Sequence, residues 1–89
     1  MLGYRVPRLR AMATLRLFAS VRVAAGTGRA EVDGDTVGAV VDAACARYGD
    51  EFASLVQHCR IWRNGEPADR SDAVTEADEV AILPPVSGG

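Results

Sequence analysis

No lysine occurs in this chain; all ten basic side chains are arginine. The chain therefore offers no side-chain amine to an activated carboxyl group of its own. Abundant Ala, Gly, Val and Arg make compositional bias the plainer cause of that gap. Cysteine is scarce as well. Cys45 and Cys59 are too few and too far apart for a disulfide framework or a zinc site, and both are expected to be buried free thiols. Nor can they supply the thiolates of an iron–sulfur cluster. His58 stands apart from any acid or cysteine cluster and reads as a surface or satisfied histidine, so no metal site is expected. No phosphate-binding loop with its lysine is present. No apolar run approaches the length of a membrane-spanning helix. Residues 1–11 are too short, and too broken by arginines and Pro7, for a secretory signal. A reducing, cytoplasmic location is the expectation.

What remains is one small domain: 89 residues, 48% hydrophobic, able to bury about 60% of the surface its unfolded chain exposes. Residues 1–11 have two readings, a disordered basic arm or an upstream start ahead of Met12, where regular patterning begins. Setting aside their three arginines leaves seven basic residues against twelve acidic, a net of −5 in place of −2. A domain that acidic argues against nucleic acid and towards a basic protein partner.

From Thr14 to Val21 the chain alternates, with Leu15, Leu17 and Ala19 on one face and Arg16 and Phe18 on the other, predicting a first strand. Ala24 to Gly28 is a flexible loop, and Arg29 to Val32 returns as the second strand of a hairpin. Thr36 is the N-cap of a helix over Val37–Tyr48, whose Val37, Val40, Val41, Ala44 and Tyr48 share one face. Gly49 ends it. Phe52, Leu55 and Val56 repeat the helical spacing for a short second turn. Arg60 to Arg63 is a strand that meets Asn64-Gly65, a strong hairpin signal, and Glu66 to Ala68 makes a short return in which Pro67 marks an edge. Residues 69–77 are polar connection, with Val74 the one core contribution. Glu79 to Leu83 is the last strand. Strands on both sides of one main helix predict an α+β, β-grasp (ubiquitin-like) mixed sheet covered on one face, with the first and last strands as parallel central neighbours.

Pro84 and Pro85 stop the last strand, since neither has an N–H for the ladder. Val86-Ser87-Gly88-Gly89 follows, either an ordinary frayed chain end or, as its junction to a strand through two prolines favours, a tip thin enough to enter a channel that any Cβ would block, with the Gly89 carboxylate ionised and unencumbered. The expected organisation is an extension over 1–11, a domain over 12–83 and an extended tail over 84–89. A sheet with one covered face leaves the other open. Alternation turns Leu15, Leu17, Val80 and Ile82 towards the helix, and Phe18, Ala81 and Leu83 away from it, either as a partner-binding patch or as a surface over which a loop or residues 1–11 fold.

The run Asp78 to Gly89, with Leu17-Phe18-Ala19, the Thr36-Val37 helix start and the Asn64-Gly65 hairpin, resembles the small subunit of molybdopterin synthase, a ubiquitin-like sulfur carrier. The likeness covers residues 12–89 and is most specific in Pro84-Pro85-Val86-Ser87-Gly88-Gly89. Ala77 departs from the glycine common there, and residues 1–11 are unmatched. The resemblance implies that an E1-like enzyme adenylates the Gly89 carboxylate with ATP and that a sulfurtransferase supplies sulfur to make a thiocarboxylate. It implies that the tail, Pro84 to Gly89, then inserts into the large synthase subunit and donates its sulfur to a pterin precursor. Gly88 and Gly89 would carry the chemistry, and Phe18 and Leu83, with Pro84, Pro85, Val86 and Ser87, would meet the partner. The carrier would be a consumed co-substrate with no bound cofactor and no nucleic-acid or membrane partner. Carriers for thiamine or amino-acid sulfur, and ubiquitin-like protein modifiers, are the competing readings.

Overall fold

Leu15 and Leu17, fully buried or nearly so, and the half-buried Thr14 and Arg16 alternate along the first strand, β1 (Met12–Leu17), so one side chain in two enters the core. The computed structural model describes residues 12–85. The expected extension over 1–11 and the tip Val86-Ser87-Gly88-Gly89 lie outside the described residues.

The elements that follow are α1 (Ala19–Ala25), β2 (Arg29–Asp33), α2 (Val37–Tyr48), α3 (Asp50–Val56), β3 (Arg60–Arg63), β4 (Glu66–Pro67) and β5 (Glu79–Leu83). The strands form one mixed sheet in the order β2-β1-β5-β3-β4. β1 and β5 run parallel at its centre, with Leu15 beside Val80 and Leu17 beside Ile82. β2 flanks β1 and β3 flanks β5, both antiparallel. This is the β-grasp arrangement expected from the element order.

One expectation fails. Ala19 to Val21 does not continue β1, and no simple hairpin joins β1 to β2; Ala19–Ala25 is a helix, and Ala19 is exposed on it. The chain leaves β1 at Phe18, still extended at φ −130° and ψ 151°. Val21 is then buried, and Ala24 and Ala25 pack against the core at helical spacing. Gly26, at φ 80°, closes the helix with its N–H on the carbonyls of Arg22 and Val23.

The main helix, α2, begins as its sequence specifies. Thr36 Oγ1 accepts the Ala39 N–H at 3.1 Å. The polar connection from Asp69 to Ala77 folds against this helix start: Val37 N–H donates to Asp72 O and Gly38 N–H to Arg70 O, and Val74 is buried. Val37, Val40, Val41 and Ala44 seat α2 on Leu15, Val32, Val80 and Ile82. Phe52 from α3 fills the end of that core, with its ring centroid 5.1 Å from that of Tyr48. Burying such aromatic and branched side chains contributes about 1.5–3 kcal/mol each. Cys45 and Cys59 are free but only half-buried. Both thiols are pushed up in pKa by burial, Cys45 also by the nearby Asp42, and Cys59 Sγ donates to Leu55 O at 3.2 Å.

Candidate functional site

The central pairing decides where the tail begins. β5 is held on one edge by β1 and on the other by β3, so its last residue, Leu83, leaves the sheet from the middle. Pro84 is half-buried and Pro85 exposed. A tail rooted between two neighbouring strands starts from a fixed position and direction, and two prolines lengthen that stiff base.

Ile82 is buried and Ile61, directly opposite it, packs against the core, so Leu83 and its partner Arg60 lie on the open face. The same parity places Ala81 there, with Arg16 on one side and Trp62 on the other. Phe18, one position beyond β1, is 39% exposed, and the Arg16 guanidinium lies 5.7 Å from its ring centroid. Phe18, Ala81 and Leu83, expected to turn from the helix, are thus half-buried or exposed beside the tail root. Val86, Ser87, Gly88 and Gly89 lie outside the described residues.

Sequence reading placed Arg16 beside Phe18 without giving it a role, and left Trp62, Arg29 and Arg60 out of this face. The signal was present in Arg60-Ile61-Trp62-Arg63, where an inward Ile61 obliges Arg60 and Trp62 to face out. Arg16 reaches Glu79 with Nη1 to Oε2 at 3.2 Å, a solvent-exposed pair worth about 0–1 kcal/mol.

The opposite end of β5 is secured by polar contacts. Asn64 and Gly65 adopt φ 52° and 86°, the positive angles of a two-residue hairpin turn joining β3 to β4. Asn64 Nδ2 donates to Asp78 Oδ1 at 2.9 Å, and the Glu79 N–H donates to Asn64 Oδ1 at 2.8 Å. Thr75 N–H donates to the other Asp78 oxygen at 2.7 Å. The Asn64 bond first, then that from Thr75, holds the Asp78 carboxyl below its ordinary value.

Among the described residues no group of three or more His, Cys, Asp and Glu is placed to hold a metal ion, and His58 is exposed. No described helix is long and apolar enough to cross a membrane. The face presents the end of β5 at Leu83, with Pro84 and Pro85 beyond it.

A mixed five-stranded sheet whose central strand runs through Leu83 into Pro84-Pro85 defines the class, a ubiquitin-like β-grasp protein. Comparison with known proteins gives the family. The chain belongs to the ThiS family of ubiquitin-like sulfur carriers, whose model matches residues 15–89. It is similar to small archaeal modifier protein 1 of Haloferax volcanii, at 41% identity over 85 residues, covering 83% of this chain and 97% of that protein. The solution structure of small archaeal modifier protein 1 from Methanosarcina acetivorans superposes with a TM-score of 0.81 at 26% identity, covering 90% of this chain and 98% of that one. A chain of the BexX/CysO complex of Amycolatopsis orientalis superposes with a TM-score of 0.72 at 25% identity, covering 86% and 99%.

Proposed function

We propose that this chain is the sulfur-donating small subunit of a molybdopterin synthase, its Gly89 carboxylate being the group that is activated and sulfurated. The observation that carries the reading is the central strand β5 running into Pro84-Pro85 and on, in sequence, to Val86-Ser87-Gly88-Gly89. A carboxylate is a poor electrophile. An E1-like partner using ATP would form the acyl-adenylate at Gly89 and release pyrophosphate. A persulfide sulfur from a sulfurtransferase would then displace AMP, and reductive cleavage of the acyl disulfide by a thiol would leave the thiocarboxylate. Gly88 and Gly89 allow the narrow approach, and Pro84 to Ser87 supply its stiff base and length. Phe18 and Leu83 flank the root of that tail and would meet both the adenylating enzyme and the large synthase subunit.

The likeness to small archaeal modifier protein 1 favours a second reading, in which the activated Gly89 is transferred to amines of other proteins. Intact mass after incubation with ATP, the cognate adenylating enzyme and a sulfur source tests the shared chemistry. The expected product is heavier by one oxygen-to-sulfur exchange and is lost when Gly89 is deleted. An unchanged mass with a demonstrably active enzyme refutes it. Sulfur transfer to the pterin precursor with a large subunit supports the synthase assignment. Isopeptide-linked adducts on target lysines, without that transfer, replace it with the modifier.

A further inference from the structure

The register of the sheet sorts the charges of the open face by position. Across the end of the face furthest from the tail, Asp33 lies opposite Met12, and the next row is Glu31, Thr14 and Glu79. Two residues further along the strands the sign reverses, and the row becomes Arg29, Arg16, Ala81 and Trp62. The row at the tail exit holds Leu83 with Arg60 opposite it, and Phe18 just beyond β1. The reversal from Glu31 to Arg29 takes about 7 Å of strand.

Arg16 and Arg29 are direct cross-strand partners. Like charges placed opposite each other destabilise a sheet. Only Arg16 is relieved, by Glu79; Arg29 and Arg60 are exposed and make no ion pair among the described residues. The arrangement costs stability at the place where β5 hands over to the tail. The acidic balance of residues 12–89 points to a basic partner, but the surface around the tail has the opposite sign.

We infer that the surface of the adenylating enzyme that receives the tail carries carboxylates around the mouth of its channel, which engage Arg29, Arg60 and Arg16 and set the orientation in which the carrier docks. This rests on the reading that the tail enters a partner. A channel that takes in the residues after Pro85 brings its rim against the last two rows of the face. Covering guanidinium groups there with a neutral or basic rim leaves them desolvated and unpaired, which disfavours binding. The acidic rows beyond reject the same rim rotated by half a turn, so the two-signed face admits one orientation. Phe18, Trp62 and Leu83 supply the apolar contact between the charges.

The test is steady-state activation of the full chain by its cognate adenylating enzyme, read as ATP-dependent adenylate formation at several salt concentrations. Arg29→Glu and Arg60→Glu should each raise KM for the carrier about three- to tenfold at low salt with kcat unchanged, and the salt dependence should weaken. Ser54→Glu, which adds negative charge at an exposed position of α3 in the helical layer, should leave KM unaltered. Activation of the wild type with KM insensitive to both sheet-face reversals overturns the acidic rim and leaves the proposed function standing. A wild-type chain that is not activated at all overturns both. Sedimentation of the carrier alone covers the remaining occupant: a salt-sensitive dimer abolished by Arg29→Glu would seat a second copy on this face and overturn the inference.

Discussion

Replacing Asn64 tests whether the start of the tail-bearing strand is held by a side chain or only by backbone pairing. Asn64→Ala removes the bond to Asp78 at 2.9 Å and the one from the Glu79 N–H at 2.8 Å. Exposed bonds of this kind contribute about 0.5–1.5 kcal/mol each, the one to a carboxylate towards the upper end. Alanine at φ 52° adds about 1 kcal/mol of backbone strain, which asparagine tolerates better. The loss should be about 2–3 kcal/mol, or a fall in Tm of about 10–20 °C for a domain of this size. Asn64→Gly accepts the positive φ and loses only the bonds, so it should be less destabilised than Asn64→Ala. The difference between wild type and either variant should also depend on pH. Asp78 is held below its ordinary value by the Asn64 bond, so its contribution is full above about pH 5. It is lost as pH falls through the unfolded value near 4 and on through the lower folded one. Thermal and urea unfolding at pH 7 and pH 3 measure all of this. Equal stabilities for the alanine and glycine variants, or a gap to wild type that does not shrink at pH 3, would refute the reasoning.

Gly34→Ala should be among the most damaging changes for its size. Gly34 has φ 154°, and a Cβ there would lie 2.8 Å from the backbone N of Val40 and from Val40 Cγ2, so a loss of about 2–4 kcal/mol is expected in urea titrations. Arg29→Glu places an acid opposite Arg16 and should raise stability by a few tenths of a kcal/mol, measured by the same titration while partner affinity falls. Cys45 and Cys59, both pushed up by burial, should alkylate more slowly at pH 8 in the folded chain than in urea. Mass spectrometry over time decides this, and equal rates would contradict it.

The features read correctly in advance are those with local causes. Thr36 caps its own helix, Asn64 and Gly65 turn their own hairpin, and Pro84 halts its own strand. The central pairing of β1 with β5 followed from element order alone, because two strands on either side of a covering helix have few ways to close a sheet. Helix α1 was misread because Leu15, Leu17, Ala19 and Val21 continue a perfect alternation. The competing helical signal, Val21 with Ala24 and Ala25, is three small side chains long. The charge division of the open face was legible only in part: alternation alone turns Arg16, Arg60 and Trp62 outward, but which charges meet across the strands is not local. Arg16 faces Arg29, and Arg60 faces Leu83, only once the register is set, and register belongs to the pairing of distant segments. Both cysteines were assigned to the interior on residue type, yet each sits at its margin.

The position of β5 also governs when this molecule can act. Its partners in the sheet are β1, at Thr14 to Leu17, and β3, so the sheet has no centre until Glu79 to Leu83 has been made and has threaded between them. A growing chain can form its helices and the β1–β2 pair beforehand, but those leave one edge of β1 unpaired and Leu15 without Val80. Completion of the fold and display of the tail root are therefore one event. An unfolded or truncated chain has no rigid stem at Leu83, and under the proposed function it would have nothing to present to an activating enzyme.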